Sequence, residues 1–201
     1  MINNRGFKHI ILTRYNLGLY DRPGAEEWME HRYPYFERTR DSILSQEGDF
    51  EWWISLDVRT PRKWVNDIST DDRIHLTSLH PKEFRSEGWT ITTRMDNDDI
   101  YLPGAIKAIQ SAFVEKEMVL DIRYYQMHEG NLYTSNRNMP NSPFLSLIEN
   151  GANKTCYARP HSKMLEDFRG KFVSDEPLAL MVVHDMNMGN RITGDKVSLK
   201  I

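Results

Sequence analysis

One cysteine, Cys156, stands in a chain of 201 residues, so no internal disulfide can form and a reducing compartment suits it. Long apolar runs are missing too. Arg5 and Lys8 precede only three consecutive aliphatic residues, Ile10, Ile11 and Leu12, too few for a secretory signal or an integral membrane segment. A cytoplasmic protein is therefore expected. The triplet Asn153-Lys154-Thr155 matches a glycosylation sequon, but nothing else looks secreted. Neither sign of charge dominates: 26 Lys and Arg against 29 Asp and Glu leave a net charge of −3, with no basic stripe, so nucleic acid is not an expected partner. Glycine-rich phosphate loops are absent, both Gly-x-Gly-x-x-Gly and the Gly-Lys-Ser/Thr type. There is no Gly-x-Ser-x-Gly elbow for an acyl-transfer serine, and Cys156 lacks a nucleophile signature. Repeats, low-complexity tracts and linkers are also lacking. What remains is a globular composition, 39% hydrophobic and 27% charged, and a single domain over 1–201. Its charged C-terminal stretch suits a domain cut from a longer polypeptide.

Periodicity orders the elements. His9 to Thr13 reads as a buried strand, and 50–56, 73–79, 89–95 and 178–183 as further strands. Pro34 divides the region after the first strand. It predicts a short helix over 24–32 and a second one starting at Pro34, where proline is preorganised for a first turn, with Phe36, Ile43 and Leu44 on one face. A short helix is expected at 61–68, and another after 104 with Ile106, Ile109 and Phe113 inward. Residues 118–128 and 131–135 flank Glu129-Gly130 as a hairpin. Beyond it the pattern predicts a helix near 143–150, a strand at 155–159 and a helix near 161–168. Alternating strands and helices point to an α/β fold with a mixed, mainly parallel sheet flanked by helices.

The most informative stretch runs from Trp89 to Asp99. A β-branched strand ends abruptly in Asp96-Asn97-Asp98-Asp99. Carboxylates crowded at a strand end repel one another unless something positive sits among them. All-oxygen ligands suit Mg²⁺, Mn²⁺ or Ca²⁺ rather than zinc or copper, and the carboxyl ends of strands are where open α/β sheets place ligands. The plain alternative is a helix-capping, Asp-rich turn. An EF-hand loop starting at Asp96 fails, because Ile100, Tyr101 and Lys107 would fall where an oxygen ligand, a glycine and a glutamate are needed. Arg94 lies one strand repeat before Asp96, on the same side of the sheet, where it would hold the carboxylates or reach a nucleotide.

Four segments, Ile11 to Asn16, Ile54 to Asp57, Thr93 to Asp99 and Val182 to Arg191, together resemble a GT-A-type glycosyltransferase, closest to the rhamnosyltransferase family. A looser similarity is to the N-terminal domain of glycosyltransferases that modify a viral capsid protein. The resemblance implies a GT-A-like fold and transfer of rhamnose or another hexose from a UDP-sugar donor to a glycan or glycoprotein acceptor. It also implies that Mn²⁺ or Mg²⁺ is held by Asp96, Asp98 and His184, a histidine ending the last apolar strand. Asp57 would accept a uracil N–H, with Thr13, Arg14, Arg94, Asp96 and Asn97 completing the nucleotide-sugar site. Asp57 reads equally as a turn cap, Arg14 as a surface ion-pair partner, and His184 as a hydrogen-bonded structural residue. Asp175 and Glu176, just before the last strand, are the candidate bases for the acceptor hydroxyl, or else a solvated turn. Two other functions remain open, a non-catalytic nucleotide-sugar or Ca²⁺-binding module of the same fold, and a nucleotidyltransferase, disfavoured by the missing phosphate loop.

Overall fold

The first apolar run is the spine of the sheet. In the computed structural model, which describes residues 6–136, 138–151, 153–185 and 191–198, β1 (Lys8–Arg14) lies between β2 (Glu51–Ser55) and β4 (Trp89–Arg94), parallel to both. β3 (Ile74–Thr77) extends this parallel half beyond β2. On the other side of β4 the pairing turns antiparallel, first to β8 (Ser146–Asn150), then from β8 to β6 (Met118–His128), β7 (Asn131–Thr134) and β10 (Lys196–Val197). The sheet is therefore mixed, parallel in its first half and largely antiparallel in its second.

Both faces of β1 are covered, which is why it reads as a continuous apolar run. Ile11 points into a core shared with Met29, Phe36 and Ile43 of α1 (Ala25–Leu44), while Ile10 and Leu12 point to the opposite face, against Leu145, Leu147, Cys156, Met164 and Phe168. Two short helices, α2 (Arg62–Ile68) and α3 (Ala105–Ser111), follow β2 and β4 where apolar spacing placed them. Glu129 and Gly130 both take positive φ, 49° and 73°, the backbone a tight two-residue β6–β7 hairpin requires.

Three expectations fail for identifiable reasons. α1 is one helix of 20 residues with Pro34 inside it, not two. Pro34 and Glu30 are both exposed, so the Glu30 carbonyl that loses its N–H partner faces water, and the opposite face stays packed. The expected helix at 143–150 is β8, in which Ser146 to Glu149 are all buried between β4 and β6; a strand covered on both faces shows no period of two. The expected strand at 155–159 is a turn, closed by the Ala158 N–H donating to the Thr155 carbonyl at 2.8 Å, whereas the helix expected near 161–168 is present as a 3-10 helix over His161–Glu166.

Two elements make the site. β5 (Ile100–Tyr101) pairs antiparallel with β9 (Gly170–Val182), and β9 runs parallel to β6. The loop between β4 and β5 is thereby tied to the end of β9. Among the described residues no helix is long and apolar enough to cross a membrane.

Candidate functional site

The acidic loop 96–99 leaves the carboxyl end of β4 beside the carboxyl end of β1, and its four side chains go different ways. Asp96, partly exposed, receives a bidentate grip from Arg94, Nε to Oδ1 at 3.2 Å and Nη2 to Oδ2 at 3.1 Å, while the guanidinium lies 5.0 Å from the Tyr157 ring centre. Asn97 is buried; its Nδ2 donates to the Tyr15 carbonyl at 3.3 Å. Asp99 is buried as well, and its Oδ1 accepts the Val182 N–H at 2.9 Å. Burial, with Asp98 and Asp96 beside it, pushes the Asp99 carboxyl well above the usual carboxylate range.

Asp98 and His184 meet. Asp98 Oδ2 and His184 Nε2 are 3.1 Å apart although 86 residues separate them, because β5 fastens the acidic loop to β9 and His184 follows β9 by two residues. Both side chains are nearly closed to solvent, 3% and 6% exposed. The His184 ring stacks on Tyr35 of α1 with centroids 4.3 Å apart. Arg32, also from α1, reaches Asp98 Oδ2 through Nη2 at 2.7 Å, His184 Nε2 through Nη1 at 2.8 Å, and Asn97 Oδ1 through Nε at 3.0 Å. Arg32 and Tyr35 are the residues of this candidate site that sequence reasoning missed. Lying three apart on one helix, on the face toward the sheet, they looked like ordinary amphipathic positions, and no motif marks them.

An imidazole nitrogen and a carboxylate oxygen meeting at one point are a ligand pair that an ion such as Mn²⁺ can use, and Asp98 Oδ2 with His184 Nε2 is such a pair. Asp96 is turned toward Arg94 instead. Around the other edge of the imidazole, His184 Nδ1 is 3.8 Å from Asp185 Oδ1, which is 3.6 Å from His31 Nε2. Among the described residues, His31, His184 and Asp185 are the three ligand-type side chains whose ligating atoms all lie within 4.8 Å of one another. Residues 186–190 of the fourth matching segment lie outside the described residues.

The remaining candidates are scattered. Thr13 is fully buried and both ends of its hydroxyl are used, donating to the Met95 carbonyl at 2.8 Å and accepting from Trp52 Nε1 at 2.9 Å, so it holds strands together. Arg14 is exposed at the end of β1, with Nη2 3.4 Å from the Leu17 carbonyl. Asp57 accepts four hydrogen bonds, from the Gly18 and Arg59 N–H groups and from Arg59 Nε and Nη2, which hold its carboxyl down at about 2. A uracil N–H would have to displace one of them, since a carboxylate offers about four acceptor positions. Asp175 and Glu176 are exposed within β9, where that strand advances five residues (Phe172 to Pro177) while β6 advances two (Asp121 to Arg123). They lie about 20 Å along the strand from its end at Val182. The carboxylates lining the cavity of about 590 Å³ beside His184 are Glu129 and Asp185, together with Tyr35, Arg38 and His128.

No protein-family model and no curated protein matches the chain. Among solved structures, the crystal structure of S. aureus TarS 1–349, a staphylococcal glycosyltransferase, superposes with a TM-score of 0.54 over 87% of this chain, at 12% sequence identity. The fold is glycosyltransferase-like. At that identity the likeness speaks for architecture, a mixed sheet flanked by helices, and this chain spans 60% of the TarS chain it matches. That architecture puts the Asp98–His184 pair at the carboxyl end of the central strands, where α/β sheets open their ligand crevice.

Proposed function

We propose that the protein is a metal-dependent glycosyltransferase that moves a hexose, rhamnose being the sugar its motifs suggest, from a UDP-sugar to a glycan or glycoprotein acceptor. One observation carries the reading: on a glycosyltransferase-like fold, Asp98 Oδ2 and His184 Nε2 converge to 3.1 Å at the mouth of the sheet. Mn²⁺ or Mg²⁺ bound by Asp98 and His184, with Asp96 joining once it leaves Arg94, would act as a Lewis acid on the departing diphosphate. Arg14, exposed at the end of β1, would reach the nucleotide from there. Acceptor deprotonation falls to Glu129 and Asp185, which border the cavity beside His184, ahead of Asp175 and Glu176, which do not.

The second reading, a non-catalytic nucleotide-sugar or Ca²⁺-binding module, is supported by the arginines that already neutralise Asp96 and Asp98. Incubation with a panel of UDP-sugars and Mn²⁺, with and without glycan acceptors, separates the two. The expected outcome is release of UDP that chelation stops and that Asp98→Asn reduces at least 100-fold. Release unaffected by chelator, or by Asp98→Asn, would rule out the metal-dependent mechanism. Donor binding without turnover on any donor and acceptor would leave the module.

A further inference from the structure

We propose that Arg32 is the resident cation of the Asp98–His184 pair, holding the two ligand atoms together until a divalent ion takes its place, so that Arg32 competes with the metal. The inference rests on the reading of Asp98 and His184 as metal ligands. A guanidinium has donors only. The 2.8 Å contact from Arg32 Nη1 therefore assigns a bare lone pair to His184 Nε2, the form in which imidazole ligates metals. The same guanidinium takes Asp98 Oδ2 at 2.7 Å, which explains how two electron-rich atoms sit 3.1 Å apart. Around an octahedral ion with bonds of about 2.1 Å, neighbouring ligands also stand about 3 Å apart. Arg32 thus enforces the spacing that the ion would require.

Charge makes the two occupants exclusive. Asp96 is already balanced by Arg94 and Asp98 by Arg32, so an ion entering with Arg32 in place would meet a neutralised site and a guanidinium within hydrogen-bond reach of both ligands. The side chain has somewhere to go. Its guanidinium carbon is already 5.6 Å from the Trp28 ring centre, one helical turn back on α1, a surface that accepts cations. A bridge that was merely structural would cost the protein metal affinity when removed, by loosening the ligands. A competing cation predicts the reverse sign.

Titration with Mn²⁺ alone, followed by calorimetry or by loss of the free-ion paramagnetic resonance signal, distinguishes them in the unaltered protein, Arg32→Gln, Arg32→Lys and Asp98→Asn. Arg32→Gln is expected to bind Mn²⁺ at least ten-fold more tightly than the unaltered protein, Arg32→Lys to stay within about three-fold of it, and Asp98→Asn to lose binding. The Arg32→Gln protein without metal should melt earlier and gain more from Mn²⁺. Unchanged or weaker Mn²⁺ affinity in Arg32→Gln, with binding still abolished by Asp98→Asn, overturns the role of Arg32 and leaves the metal site standing. Absence of binding in both the unaltered protein and Arg32→Gln removes the metal site itself. Should Arg32→Gln fail to fold, the Arg32 Nε–H resonance of the unaltered protein decides. Saturating Mg²⁺ should shift it and expose it to exchange, and a resonance that stays put overturns the inference.

Discussion

His9 shows how much one buried side chain can weigh on stability. It lies fully inside the sheet, with Nε2 2.7 Å from Thr93 Oγ1 and Nδ1 accepting from Gln110 Nε2 at 3.2 Å. With both nitrogens used, burial lowers its pKa to about 3. The unfolded chain takes up this proton near pH 6.5, whereas the folded one refuses it until about pH 3. Between those values the unfolded state binds more protons, so stability must fall as pH falls, by at most about 1.4 kcal/mol per pH unit, and this contribution is constant above pH 6.5. Urea unfolding from pH 7.5 to 4 should show that slope, and His9→Gln should flatten it; an unchanged slope would assign the acid sensitivity to other groups. At this scale the sequence was only partly legible. Asp98 and His184 could be picked out because charged residues ending apolar strands stand out. Thr13 and Asp57 sat in equally suggestive places, yet their polar atoms are used inside the fold. Nothing in a strand-end motif says which hydroxyl or carboxylate will be spent on joining strands and turns.

Among the elements, α1 carries both the clearest misreading and the clearest test. A proline ten residues into a 20-residue helix leaves out one backbone hydrogen bond and crowds the preceding turn. Because Pro34 and Glu30 face solvent, Pro34→Ala should restore the bond without disturbing Met29, Phe36 or Ile43. A gain of about 1–3 kcal/mol in unfolding free energy is expected, the interior penalty of about 3 less what proline contributes by stiffening the unfolded chain. A denaturant midpoint that does not rise would mean that proline at position 34 is itself required by the packing of Arg32 and Tyr35. The first four strands of the sequence reading all exist, as do the short helices expected at 61–68 and after 104, while the two helices expected around Pro34 are one. After residue 140 legibility was partial. The apolar run 178–183 reads as a strand, and through Val182 it is the end of β9. By contrast β8, buried on both faces, and the partly exposed first half of β9, whose register breaks at Pro177, show no alternation that identifies a strand.

Over the whole molecule, two cores lie on opposite faces of one sheet, and Cys156 reports on the smaller. Its thiol is fully buried beside Leu145 and Met164, its N–H donates to Thr92 Oγ1 at 2.9 Å, and burial pushes its pKa up to about 12. Alkylation of the native protein at pH 8 should therefore proceed at the rate of global opening, and should accelerate in step with unfolding as urea is added. Fast labelling in buffer would show that this face opens locally. The mixed topology has a temporal consequence as well. Arg32, Asn97, Asp98 and His184 come together from positions as much as 152 residues apart in the chain. During synthesis the parallel strands β1 to β4 can pair, and α1 can dock, well before β9 has left the ribosome. Arg94, Tyr15 and Arg32 can hold Asp96, Asn97 and Asp98 from the first half, but Asp99 waits for the Val182 N–H and Asp98 for His184. A nascent chain thus acquires its framework early and the Asp98–His184 pair late, and a ribosome stalled before residue 184 would hold a folded half in which that pair has not yet formed.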